Sequence, residues 1–448
     1  MMTVKWVSVS TAAILLFPLL MLLVPSTASA TIDASVLGTA PGRYNSIRVA
    51  DVDGDGNMEV VFGNYDGNIV MLEYKDGGYR LEWKSDKLEY RLWGIDVGDV
   101  NMDGKPEIVA GGGDGHVFVI DAKSKRLLWT SQQIVRDAQG IRVGDINGDG
   151  RNEIVVGCGY RTDVPHGRVY VFDGTSHVEM FNGSDITKEF DAKIRGMAIA
   201  DIDHDGEMEV IAGSGVTLGE KPGEGYIRIF DGKTGALEWT SPDTNGDVEA
   251  ITVADADGDG NLDIVGGNGY RYHPGYAFQY TYKKGGGVGN PPDYTSVWTS
   301  EDIGPKVYGL AVGDIDGDGV KEIVTGNQPG YIWAFDGVTK QVKWKSELLG
   351  ADLLGIALAD VDGDGTVEMI AAQGGYQGKA DFTSAYSTPH IYVLDGKTKA
   401  VEFKLGEQDY TELGLQVGVL LLVILLLVEV NVWARMRKKK GGEGKGDA

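Results

Sequence analysis

The residues best suited to chemistry in this 448-residue chain are acidic and regularly spaced. Seven stretches place side-chain oxygens at positions 1, 3, 5 and 9, counted from the first aspartate, and offer a backbone carbonyl at position 7. The first four are Asp51, Asp53, Asp55 and Glu59 with Asn57 at position 7; Asp99, Asn101, Asp103 and Glu107 with Lys105; Asp145, Asn147, Asp149 and Glu153 with Arg151; and Asp201, Asp203, Asp205 and Glu209 with Glu207. The other three are Asp255, Asp257, Asp259 and Asp263 with Asn261; Asp314, Asp316, Asp318 and Glu322 with Val320; and Asp360, Asp362, Asp364 and Glu368 with Thr366. Hard oxygen donors in this number suit Ca2+, up to seven ions, better than Mg2+, which keeps more of its water. Glycine at position 6 supplies the positive φ that so sharp a turn requires.

Two kinds of calcium loop share these letters. A helix-loop-helix sensor needs a bidentate glutamate at position 12. Position 12 is instead Phe62, Ala110, Val156, Ala212, Gly266, Thr325 and Ala371. The acid at position 9 and strand-like flanks point to a hairpin whose ion is structural. Five loops carry four of these carboxylates and two carry three, which together match about the whole net charge of -25. Without cations, carboxylates so crowded repel one another. The same net charge excludes nucleic acid as a partner.

The loops need strands on either side, and the repeat supplies them. Before each first aspartate runs an alternating segment such as SIRVAD, GIRVGD or GLAVGD, and period two marks a strand. A second strand (EVVFG, EIVVG) follows the loop, and a third reads VFVIDA, VYVFDG or IWAFDG. A fourth carries a bulky residue at a matching place: Trp83, Trp129, Met180, Trp239, Trp298, Trp344 and Phe403. Strands buried on both faces by neighbouring blades call for such residues. Loops begin 46 to 59 residues apart, a period of propellers and solenoids. The expectation is an all-β, seven-bladed β-propeller over 31–405, four strands to a blade. Residues 32–38 (IDASVLG) are a candidate outer strand at the closure.

Both ends read as targeting segments. Residues 1–30 have a basic start, an apolar run and Ala28-Ser29-Ala30, the pattern of a signal peptide. Residues 413–434 are apolar enough for one transmembrane helix, after a short stalk at 406–412 and before a basic tail at 435–448. The basic cluster places the C-terminus in the cytoplasm and the propeller outside the cell membrane. The lone cysteine, Cys158, allows no internal disulfide and reads as a small buried filler.

The DxDxDGxxE loops, repeated through a propeller, resemble the FG-GAP (VCBS) repeats of integrin α-subunit propellers. The resemblance covers residues 45–405 and implies a structural calcium in each loop. It stops short of integrin function. No adhesion domain is inserted in a blade, no leg domains follow, and RMRKKK stands in place of the family's GFFKR.

Strand direction alternates, so the acidic loops share one face and the loops joining strands two and three lie on the other. These opposite loops vary most in length and carry Tyr160, Arg161, Tyr270, Arg271, Tyr272, His273, Tyr276, Tyr376, Phe382, Tyr386 and His390. Tyrosine and arginine on a rigid scaffold suit recognition of a protein or glycan, in adhesion or assembly at the cell surface. Packing of the tyrosines against one another is the competing reading. The stalk leaves from this face and is short, so the face is expected near the membrane. An enzyme of polysaccharide lyase type is the alternative, with Arg271 and His273 as its chemistry. No HExxH, G-x-S-x-G or phosphate-binding glycine loop appears, and the residues favour a binder.

Overall fold

A computed structural model of the chain describes residues 37, 41–42, 46–134, 137–160, 166–188, 192–215, 224–270, 273–283, 293–350, 352–374 and 389–405. The expected signal peptide, stalk, membrane span and tail lie outside these residues. Among the described residues no helix is long and apolar enough to cross a membrane.

The chain folds as seven antiparallel sheets in sequence order. They span 47–84, 92–130, 138–173, 193–240, 248–299, 307–345 and 353–405. Six have four strands joined to sequence neighbours, and the third has three. Blade three is a departure from the repeat. Its expected fourth strand, around Met180, is reduced to an isolated bridge between Phe172 and Glu179. His177, Phe181 and Gly183 adopt positive φ there (59°, 56° and 94°), and the short 3-10 helix Asp185–Thr187 follows. No extended strand accommodates such φ values.

Register follows turn chemistry. In every blade the residue before the first loop aspartate pairs with the position-9 acid, as Ala50 with Glu59 and Ala359 with Glu368. The second strands, such as Glu59–Gly63 and Glu107–Gly112, are buried along their whole length. The fourth strands are not buried on both faces as the sequence suggests. Arg126–Thr130 and Val342–Lys345 are mostly exposed, because they form the outer rim. Their bulky residue instead leans on the next blade: Trp129 on Phe172 (centroids 5.6 Å), Trp239 on Tyr280 (5.6 Å) and Trp298 on Phe335 (5.1 Å).

Each pair of neighbouring blades shares its own apolar core. The ring closes in the same way. Ile370, Ile391 and Val393 of blade seven pack with Ile47, Phe62 and Leu72 of blade one, and Phe403 stacks on Tyr79 at 4.5 Å. Blade seven is complete from its own four strands. Of the candidate closing strand only Leu37 is described, fully buried in this seam. Cys158 is likewise buried, its thiol donating to the Arg168 carbonyl and pushed up to about 12 by burial.

Six of the seven inner strands carry a bulge at the same place. Pairing skips Trp93, Gln139, Glu249, Tyr308 and Leu354, and in blade four it skips Arg195 with Gly196. A bulge re-aims the side chain it frees. These side chains meet at the axis: Arg195 Nε donates to Gln139 Oε1 at 3.1 Å, and Trp93, Tyr308 and Leu354 pack with Tyr65. The bulged side chains thus form one polar group and one apolar group.

Candidate functional site

The seven acidic loops share one hydrogen-bonded frame. The position-1 carboxylate accepts the position-6 glycine N–H at 2.8–3.2 Å in every copy. Position 3 accepts the position-5 N–H at 2.9–3.3 Å. Position 5 accepts the position-7 N–H at 2.7–3.0 Å. Each of these side chains is thereby folded inward over the turn. The position-9 acid is buried and gives one oxygen to the position-2 N–H at 2.7–3.0 Å.

The free oxygens converge. Asp360, Asp362, Asp364 and Glu368 bring one oxygen each within 4.8 Å of the others, as do Asp51, Asp53 and Glu59, and Asp201, Asp203 and Glu209. Burial, with the neighbouring aspartates, pushes Glu59 and Glu209 up to about 8 and Glu107, Glu153 and Glu368 up to about 7. Asp263 and Glu322 are raised for the same first reason. A buried carboxylate beside other carboxylates is costly as an anion, and a hard cation removes that cost. The donor set fits one: oxygen only, three or four carboxylates, and a turn that fixes them.

Blade six shows where positive charge settles. Lys343, from the fourth strand Val342–Lys345, puts its Nζ 2.7 Å from Asp316, 2.7 Å from Asp318 and 2.8 Å from Glu322. Burial alone would lower its basicity, but these carboxylates raise it. An ammonium thus stands in for the cation. In loops two and three the asparagine amide does part of that work, donating to Glu107 at 2.6 Å and Glu153 at 3.0 Å.

The family model described as FG-GAP-like repeat matches residues 51–110, 99–156 and 145–212. Residues 51–212 therefore carry FG-GAP-like repeats. No curated protein matches it. Solved structures similar to this chain include Saccharomyces cerevisiae Sqt1, at 10% identity over 82% of this chain and 87% of that one, with a TM-score of 0.50. BBS1N, solved in complex with ARL6DN, aligns at 11% identity over 84% and 95%, also with a TM-score of 0.50. The computationally designed Ika8 protein aligns at 15% identity over 75% and 95%, with a TM-score of 0.44. Sqt1 and BBS1N share the fold and nothing closer.

On the face away from the FG-GAP loops, the sequence candidates divide. Arg161, Arg271, Tyr272, Tyr376, Phe382 and Tyr386 lie outside the described residues, and Tyr160 is placed by its backbone alone. Tyr270 is buried and stacked on His273 (centroids 5.6 Å), so it packs rather than presents itself. His390 is held by Gln373 Oε1 at 2.6 Å. His273 and Tyr276 do meet, along a cleft of about 540 Å3 that Asp243, Asn245, Asn268 and Tyr280 also line. Asn268 braces it, accepting the Tyr276 N–H at 2.9 Å. Asp243, Asn245 and Asn268 are absent from the sequence candidates, because the first two sit in the connection from blade four to blade five. Their only sequence signal is the turn composition of SPDTNGD.

Proposed function

We propose that this protein is a calcium-stabilised propeller, anchored by 413–434 in the cell membrane and exported by 1–30, that recognises a protein or glycan at the cell surface. The observation that carries the calcium reading is the repetition of one hydrogen-bonded turn in all seven loops, each with a buried acid at its base, with loop carboxylate oxygens converging in blades one, four and seven. The ions would be held by positions 1, 3, 5 and 9 and the position-7 carbonyl, and would supply rigidity to the hairpins. Recognition is assigned to the other face. The cleft between blades four and five supports that reading: amides, a carboxylate and aromatic rings surround a volume suited to a saccharide ring or a side chain. A scaffold that rigid loses little entropy on binding.

Titrating the chain against a panel of acidic and neutral polysaccharides tests the reading. Saturable binding without turnover is expected, weakened several-fold by Asn245→Ala or Tyr276→Ala. Release of unsaturated sugar absorbing in the ultraviolet would identify a lyase instead.

A further inference from the structure

The fourth strands carry a second repeated bulge, and its charge differs from blade to blade. Pairing with the third strand skips Glu82, Leu128, Glu238, Val297, Lys343 and Glu402. A bulge re-aims the side chain it frees, and Lys343 reaches the acidic loop of its own blade from this place. In blades one, four and seven the same place holds a glutamate. Blade one answers it with a lysine of the next blade: Lys125 Nζ lies 2.7 Å from Glu82 and 3.9 Å from Asp53, the position-3 acid. The loop carboxylates Asp51, Asp53 and Glu59 still converge beside it. Blade one therefore has two places for positive charge, one inside the loop and one between the loop and the fourth strand.

Blade four has the acids of both places. Asp201, Asp203 and Glu209 converge in the loop, and Glu238 stands where Glu82 does. Among the described residues Glu238 has no ion-pair partner, and its Oε2 is buried without a hydrogen bond. Lys233, from the same blade, is held by Glu207 at 2.5 Å. Blade five presents Tyr294, which is 4% exposed and whose hydroxyl is likewise buried without a partner. Its ring packs on Trp239 (centroids 5.0 Å). Burial first, and then the charges of Glu209, Asp203 and Glu238, push this phenol well above its usual range, so the hydroxyl lies close to those acids. We propose that blade four binds a second divalent cation outside its loop, between Glu238 and Asp203, with the Tyr294 hydroxyl as a neutral oxygen ligand. Carboxylate and hydroxyl oxygens suit a hard cation, and the ion takes the place that the Lys125 ammonium has in blade one. Glu82 is already paired, and Glu402 of blade seven is exposed, so blade four is singled out. This inference rests on the calcium reading above and adds a site to it.

The test counts calcium per chain by elemental analysis, on the full-length protein in detergent at saturating calcium. Glu238→Gln is expected to bind one ion fewer than the wild type. Asp201→Ala, which removes a ligand of the loop ion alone, should also lose one, and the double variant two. A double variant that binds as many ions as either single one would mean one shared ion and overturns the second site, as does an unchanged count in Glu238→Gln. Terbium gives an independent readout, because an ion beside Tyr294 and Trp239 takes excitation from their rings. Glu238→Gln should lose one phase of the sensitised emission, and Tyr294→Phe should move that phase to several-fold higher terbium. In chelator, Glu238→Lys should melt above the wild type, because it brings an ammonium to acids that otherwise repel one another. A lower Tm there would show no excess of negative charge at Glu238 and overturn the site. If the wild type binds calcium and Glu238→Gln binds as much, this site falls alone; if the wild type binds none, the loop reading falls with it.

Discussion

At the scale of single residues, the loops are built around two left-handed positions rather than one. Position 6 is glycine in every copy, with φ between 81° and 93°. Position 4 is left-handed too, yet blade two has Met102 there (φ 64°) and blade four has His204 (φ 60°). The sequence displays position 6 because its glycine never varies; those two exceptions hide position 4. Gly206→Ala is expected to cost about 1–2 kcal/mol in a denaturant melt, since no side chain is relieved by moving and only backbone strain is added. Lys343 is illegible for a different reason. It stands 25 residues beyond Asp318, and only the fold of blade six brings its ammonium to the cage. Lys343→Met should raise bound calcium by one ion per chain in elemental analysis, and an unchanged stoichiometry would show that the lysine already yields to the metal.

At the scale of elements, the repeat is plain because the strands are marked by chemistry: an aspartate follows the first, and in six blades a glycine at position 13 lies at or near the end of the second. Which strand faces water cannot be read in the same way. Trp129 and Trp239 look like core residues in a one-dimensional pattern, but their strands are the rim, and each ring covers the neighbouring blade. Blade three loses its fourth strand to Asn182-Gly183 and two left-handed neighbours, a local turn that outweighs the repeat. The seam between blades seven and one is closed by packing, with no short connection along the chain to back it up. Phe403→Ala removes its rim contact and should cost about 2 kcal/mol, less than the ~3–5 kcal/mol of a fully buried ring because Phe403 is only half-buried. The measurement is the urea midpoint against Trp344→Ala, at the same rim place in blade six, where the connection supports the packing; an equal loss would argue that the seam has no special weakness.

At the scale of the whole molecule, the two faces divide the work. One face repeats a single hydrogen-bonded acidic turn seven times, and that repetition makes it legible from the order of residues alone. The other face is made of differences between blades, such as the cleft beside Tyr276. Asp243 and Tyr276 are tens of residues apart in the chain and become neighbours only along that cleft, so no short window along the sequence displays them together. The central claim is that cations in the acidic loops hold the propeller rigid. Free calcium at ten times a site's Kd adds about 1.4 kcal/mol for each site filled. The most direct test is the thermal melt of the chain with and without a chelator. The account predicts a Tm that falls substantially on chelation and returns with added calcium; a melt unchanged by the chelator would contradict it.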